Sequence, residues 1–88
     1  MRALDAMNET ELKEIICKKF LDGDMEFPLE LDTNLLEEGI CDSLGLVQLT
    51  RKIEERVRGI KILDQEITRE NFATMRAILR FVEKKARA

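Results

Sequence analysis

Apolar residues recur at the spacing of an amphipathic helix in three separate stretches of the chain. The first stretch follows Asn8, and Glu11 stands three positions later, which is the spacing of a capping box and predicts a helix start. Gly23 suits the left-handed turn that commonly ends a helix, so we expect this helix to stop there. Its apolar stripe consists of Leu12, Ile15, Ile16 and Phe20.

Two more long helices and a short one are predicted in the second half of the chain. The second long helix begins at Asp42 or Ser43, because either side chain can accept a hydrogen bond from the first free N–H groups. Thr68 caps a short helix, and Thr74 caps the last long one, whose residues 83–88 are expected to fray. The apolar stripes are Leu46, Val47, Leu49, Ile53 and Val57 in the second long helix, and Met75, Ile78, Leu79 and Val82 in the last.

The stretch between the first two long helices has no sustained period, and Pro28 is incompatible with an ordinary helix interior. Large aliphatic residues nevertheless recur, so we expect a long loop that they pin to the core. A structured loop of this length in a small domain is usually functional. The recurring residues are Leu29, Leu31, Leu35, Leu36 and Ile40.

These elements predict an all-α fold, a small antiparallel bundle of three long helices and one short helix. A chain of 88 residues has room for one core and not for two, so residues 1–88 should form one domain, ordered from about residue 8 to about 85. The first residues carry Arg2 and Asp5 and no apolar run, and no stretch is long enough to span a membrane. We therefore expect a cytoplasmic protein without membrane insertion.

Chemistry is confined to one segment, Gly39-Ile40-Cys41-Asp42-Ser43-Leu44. The chain has no histidine, so the commonest general base is missing, and Ser43 is a weak nucleophile without one. Two cysteines are too few for a zinc site or a disulfide framework. We interpret Ser43 as a residue that another enzyme modifies, with no catalytic residue and no metal site in this chain. The alternative is that Ser43 is merely a helix cap.

The charges are distributed unevenly along the chain. Residues 22–42 hold eight acidic residues and no basic one, whereas residues 43–88 hold eleven basic residues against six acidic ones. The acidic run before Ser43 creates a negative field that steers basic partners towards the serine. Nucleic acid is not expected as a partner, because the basic half lacks interleaved aromatic residues.

With these features the chain resembles the acyl carrier protein and peptidyl carrier protein family. The resemblance covers residues 8–85 and centres on Asp-Ser-Leu, residues 42–44, at the start of the second long helix. The tripeptide alone is common by chance, and its position and flanks give the match its weight. The flanking matches are Asp32, Leu35, Gly39, Val47, Leu49, Ile60, Asn71, Phe72 and Thr74.

The resemblance implies that a separate magnesium-dependent phosphopantetheinyl transferase moves 4′-phosphopantetheine from coenzyme A to Ser43. The terminal thiol of that arm would carry an acyl or aminoacyl group as a thioester between partner enzymes. Asp42 resembles the family aspartate that contributes to the magnesium site in the transferase complex. Leu44 resembles the family's docking leucine, although local packing is an equally open interpretation. Cys41 is then a small semi-buried residue, and Gly45 leaves space beside the arm.

The second long helix differs from the acidic one of fatty-acid carriers, since basic residues predominate on its outer face. This surface and the segment around Ser43 resemble freestanding aminoacyl carriers, including D-alanyl carriers. The resemblance implies a monomer of a specialised or secondary pathway that is loaded by an adenylating ligase and unloaded by a downstream transferase or synthase. Two alternatives remain, a specialised fatty-acyl carrier and an unmodified helical protein-binding adaptor. The charged residues concerned are Arg51, Lys52, Arg56 and Arg58, opposed by Glu54 and Glu55.

Overall fold

The computed structural model describes residues 7–57 and 59–87, which form a bundle of α-helices. Three helices are long and one is short, and no strand occurs within these two ranges. A loop of 22 residues, 21–42, separates the first two long helices. The all-α fold predicted from the sequence is thereby confirmed. The helices are α1 (Glu9–Phe20), α2 (Ser43–Arg56), α3 (Arg69–Phe72) and α4 (Met75–Arg87), and a 3-10 turn at Asp64–Glu66 precedes α3.

Helix α1 begins and ends as its sequence predicts. The backbone N–H of Glu11 donates to Asn8 Oδ1 at 2.8 Å, and the N–H of Asn8 donates to Glu11 Oε1 at 3.0 Å, which completes a capping box. After the helix, Gly23 has φ +81° and donates its N–H to the carbonyl of Cys17 at 2.8 Å. Asp22 is also left-handed, with φ +54°, so the chain leaves α1 through two consecutive left-handed residues.

Helices α1, α2 and α4 bury their apolar stripes in one shared core. Residues at the centre of each stripe are buried, whereas Ile15, Phe20, Val47 and Leu79 are only half-buried because they lie at the edges. The short helix α3 packs on α4, where the rings of Phe72 and Phe81 lie 5.1 Å apart, centroid to centroid. The most completely buried side chains are Leu12, Ile16, Cys17, Leu35, Leu49, Thr50, Ile53, Phe72, Met75, Ile78 and Val82.

The long loop is fastened to the start of α4. Leu35 donates its N–H to the carbonyl of Ala73 at 2.7 Å, and Arg76 donates its N–H to the carbonyl of Leu31 at 3.0 Å. The Arg76 guanidinium also holds Asp32 through two hydrogen bonds, of 2.8 and 3.1 Å. That contact lowers the pKa of the Asp32 carboxyl and raises the pKa of Arg76. The pair is exposed, so its contribution to stability is small.

Helix α4 is longer than the sequence predicts. Thr74 Oγ1 accepts the N–H of Ala77 at 3.1 Å, as expected of its cap. The sequence predicts fraying from residue 83, and the structure extends the helix to Arg87. Lys85 Nζ contacts both carboxylate oxygens of Glu66, at 2.9 and 3.0 Å, in a half-buried ion pair. This contact with a distant turn stabilises the last part of α4 against fraying.

The replacement Ile53→Ala tests the packing of α2. Ile53 is fully buried between the long helices, so we expect the free energy of unfolding to fall by about 2–5 kcal/mol. Arg51→Ala, at an exposed position of the same helix, is the control and should change stability by no more than about 0.5 kcal/mol. Urea unfolding followed by circular dichroism measures both, and equal midpoints for the two variants would contradict the packing described here.

Candidate functional site

Asp42 caps helix α2. Its backbone is extended, its Oδ1 accepts the N–H of Gly45 at 2.7 Å, and its carbonyl accepts the N–H of Leu46 at 3.0 Å. The sequence left the cap open between Asp42 and Ser43, and the structure assigns it to the aspartate. The serine hydroxyl is therefore not used to begin the helix.

Ser43 is the first residue of α2, and its side chain is exposed. Among the described residues its hydroxyl has no hydrogen-bond partner, and the backbone N–H groups of Ser43 and Leu44 have none either. These free donors and the positive end of the helix dipole favour an anion at this corner. The site thus offers an unpartnered hydroxyl that can be approached from solvent, next to groups that stabilise a negative charge.

The backbone before Asp42 is held by a single residue of the loop. The carbonyl of Leu35 accepts the N–H groups of both Ile40 and Cys41, at 3.0 and 3.1 Å. The intervening Gly39 has φ +74°, a conformation that other residues rarely adopt. Since Leu35 is itself hydrogen-bonded to Ala73, the approach of the chain to Asp42 is fixed relative to α4.

Gly45 allows close packing beside the serine. A Cβ atom at this position would lie 3.0 Å from Phe20 Cε1, 3.1 Å from Cys41 Cβ and 3.2 Å from Asp42 Oδ1. The sequence suggested that Gly45 leaves open space at the arm, but its buried face is filled by these neighbours. The glycine instead lets α1 approach the first turn of α2 while the Asp42 cap is maintained.

Cys41 lies within this packing and is buried. Burial raises the pKa of its thiol, and the neighbouring Asp42 carboxylate raises it further. The thiolate is the reactive form of cysteine, so Cys41 is a poor nucleophile despite its place next to the serine motif. Cys41 is thus more deeply buried than the small semi-buried residue that the sequence predicts.

Leu44 projects into solvent. Its side chain is 68% exposed, more than the other exposed large apolar residues, Leu63 at 41% and Met25 at 39%. The alternative that Leu44 packs locally is therefore not supported. An exposed leucine of this size is suited to contact a partner protein.

Two clefts meet at Ser43, and both are lined by Arg69 as well. The first, of about 580 Å³, runs along the segment 39–45 and is bounded by Phe20 and Gln48. The second, of about 350 Å³, lies between α2 and the turn before α3. Sequence analysis missed Arg69, because no local pattern indicates that the start of α3 lies near the start of α2. The second cleft is lined by Leu36, Ser43, Leu46, Val47, Asp64, Ile67 and Arg69.

The part of the chain that the structure describes holds neither a metal cluster nor a membrane-spanning helix. It contains no group of three or more acidic, cysteine or histidine residues placed to hold a metal ion. None of its helices is long and apolar enough to cross a membrane.

No protein-family model matches the chain. A D-alanyl carrier protein from Abiotrophia defectiva is 39% identical over 59 residues, which cover 67% of this chain and 73% of that protein. The chain belongs to the acyl carrier protein family. This confirms the resemblance found in the sequence. The chain is a carrier protein and not an enzyme. Membership of the family implies that a phosphopantetheine prosthetic group, a phosphopantetheinyl transferase and a ligase belong to its function.

Gly45→Ala tests the close packing in this carrier. Alanine in place of glycine ordinarily favours a helix by about 1 kcal/mol. Crowding against Phe20 and Cys41 should cost about 1–3 kcal/mol, so we expect a net loss of stability. Thermal unfolding monitored by circular dichroism gives the sign, and a variant more stable than the parent would show that the neighbours yield freely.

A second substitution identifies the contact responsible. In a Phe20→Leu background the ring atom nearest to Gly45 is absent, so the cost of Gly45→Ala should shrink. Contacting residues give non-additive effects in a double-mutant cycle, whereas independent ones add. Strict additivity here would assign the crowding to Cys41 and Asp42 alone.

Proposed function

We propose that Ser43 bears 4′-phosphopantetheine and that the protein carries an aminoacyl group between separate enzymes. The observation that carries this proposal is an exposed serine hydroxyl, free of any partner in the described residues, at the start of a long helix of a carrier-family protein. The group, once bound, supplies a flexible thiol on which the cargo is held as a thioester. Residues 1–88 would form a single carrier domain, which would act as a monomer in the cytoplasm.

Attachment of the group requires Ser43 Oγ to attack the phosphorus of the pantetheine phosphate of coenzyme A. The Oγ–P bond forms as the pyrophosphate P–O bond breaks, adenosine 3′,5′-bisphosphate leaves, and the hydroxyl proton passes to a base of the transferase. The chain supplies no histidine for that proton. The free N–H groups of Ser43 and Leu44 favour the resulting phosphodiester anion.

Asp42 and Leu44 are proposed to serve the transferase and later partners. Asp42 uses Oδ1 for the cap, and in the described residues its Oδ2 has no hydrogen bond, which leaves an oxygen for the magnesium ion of the transferase complex. Leu44 is exposed on the same turn and would insert into an apolar pocket of a partner. These two roles match those of the corresponding family residues.

An amino acid is the cargo that we favour. The relative from Abiotrophia defectiva is a D-alanyl carrier protein, so D-alanine is the first candidate. The cleft between Ser43 and α3 is lined by Leu36, Leu46, Val47 and Ile67 as well as by Asp64 and Arg69, so its lining does not select the cargo, and the preference for an amino acid rests on this relative. We place the protein in a specialised pathway because its basic second helix differs from the acidic one of fatty-acid carriers. A specialised fatty-acyl carrier is the second candidate.

Ser43→Ala should abolish modification. Parent protein incubated with coenzyme A, Mg²⁺ and a broad-range phosphopantetheinyl transferase should gain the mass of one phosphopantetheine group, measured on the intact protein. Ser43 is the chain's single serine, so the variant should gain none. Because Asp42 caps the helix, the substitution should change stability by no more than about 0.5 kcal/mol.

Thr10→Ala is the matched control, since it removes another exposed hydroxyl and should leave the mass gain intact. A parent that stays unmodified, or an Ser43→Ala protein that is modified, would refute the assignment. To identify the cargo, the modified protein is then offered D-alanine, L-amino acids and fatty acids with ATP and a candidate ligase. Loading by fatty acids alone would favour the second candidate.

Reversal of two charges on α2 tests whether this helix meets the ligase. Arg51 and Lys52 are exposed, and replacing both by Glu should slow loading at low salt, because exposed charges act mainly on the association rate. The loss should shrink as salt screens the field. Loading rates of the modified proteins at several ionic strengths measure the effect.

Arg80→Glu with Lys84→Glu is the control for that experiment, since it makes the same change of charge at exposed positions of α4. Melting temperatures guard against a folding effect, because Lys52 lies 3.8 Å from Glu55 and the reversal replaces this attraction by repulsion. Equal slowing by both pairs would mean that net charge, rather than the surface of α2, governs loading.

A further inference from the structure

Arg69 borders both clefts that meet at Ser43. We propose that its guanidinium binds the phosphodiester at Ser43 and thereby sets where the phosphopantetheine arm leaves the protein. The inference rests on the proposed attachment at Ser43 and adds to it a residue of α3 that contacts the bound group. It concerns the phosphate and is independent of the cargo.

The backbone of Arg69 is held in a fixed position relative to the serine. Thr68 Oγ1 accepts the N–H of Asn71 at 3.2 Å, which caps α3 so that Arg69 is its first residue. The carbonyl of Arg69 accepts the N–H of Ala73 at 2.9 Å, and the carbonyl of Ala73 accepts that of Leu35 at 2.7 Å. A short series of hydrogen bonds therefore connects the base of this side chain to the loop that leads to Ser43.

The side chain of Arg69, by contrast, is available to bind a ligand. Among the described residues it makes no ion pair and no hydrogen bond, and it is exposed. A cation at the first residue of a helix gains nothing from the helix dipole, so the position is not explained by stabilisation of α3. An exposed arginine without a partner, on a backbone held by hydrogen bonds and lining two clefts that Ser43 also lines, is suited to bind a phosphate.

Acidic residues line both clefts at Ser43, so a nearby cation would favour the binding of a phosphate there. Asp42 lines the first cleft with Ser43, and Asp64 lines the second. A phosphodiester at Ser43 would therefore be placed beside two carboxylates, both of which repel it. Arg69 is the one basic residue that lines either cleft among the described residues, and it borders both. Its planar guanidinium can donate two parallel hydrogen bonds to phosphate oxygens, which a lysine cannot match.

Phosphorus NMR of the modified protein tests the contact directly. Parent, Arg69→Gln and Arg69→Lys are each converted with coenzyme A and the transferase, and conversion is checked by intact mass. We expect the phosphodiester resonance of the parent to move with added NaCl as screening weakens the contact, and that salt dependence to fall at least about twofold in R69Q. R69K should be intermediate, and the Arg69 Nε–Hε resonance of the parent should shift on modification.

Arg80→Gln on α4 is the control, since it removes an exposed arginine that lines neither cleft, and it should behave as the parent. If all proteins are modified but their phosphorus resonances and salt dependences coincide, Arg69 does not bind the phosphate and this inference fails alone. If the parent gains no mass, the proposed function fails and the inference fails with it.

Discussion

The backbone of Leu35 joins the long loop to the rest of the bundle, and the geometry around Ser43 depends on it. Its N–H donates to Ala73 between α3 and α4, and its carbonyl accepts from both Ile40 and Cys41. The side chain is fully buried, so the three hydrogen bonds lie beside a core contact that excludes water. This one residue therefore fixes the position of the start of α2 relative to Ala73, which lies between the end of α3 and the start of α4.

Local signals in the sequence were enough to predict the helices and the motif. The Asn8–Glu11 capping box and the caps at Thr68 and Thr74 act within four residues, so their chemistry can be recognised without the fold. The same holds for the serine at the start of α2. Local chemistry did not separate Asp42 from Ser43 as the cap, because both side chains can reach the same N–H groups.

Contacts between residues that are distant in the sequence cannot be predicted from such local signals. Arg76 binds Leu31 and Asp32, which lie more than 40 residues before it in the sequence. Lys85 pairs with Glu66 in the part of α4 that lies beyond residue 83. No periodic pattern in the sequence connects either pair of segments. The clefts that Ser43 and Arg69 both line likewise bring together residues far apart in the sequence. From the sequence alone Gly45 suggests free space, because the sequence does not show that Phe20 packs against it.

Burial of the two cysteines has a redox consequence for a protein whose family carries its cargo on a thiol. Thiol–disulfide exchange proceeds through an accessible thiolate, and both Cys17 and Cys41 are buried with a raised pKa. With the prosthetic group attached at Ser43, as we propose, an accessible Cys41 two residues away could form an internal disulfide with the thiol of that group. By burying both cysteines, the packing of α1 against the first turn of α2 would prevent their thiols from forming a disulfide with the thiol of the prosthetic group.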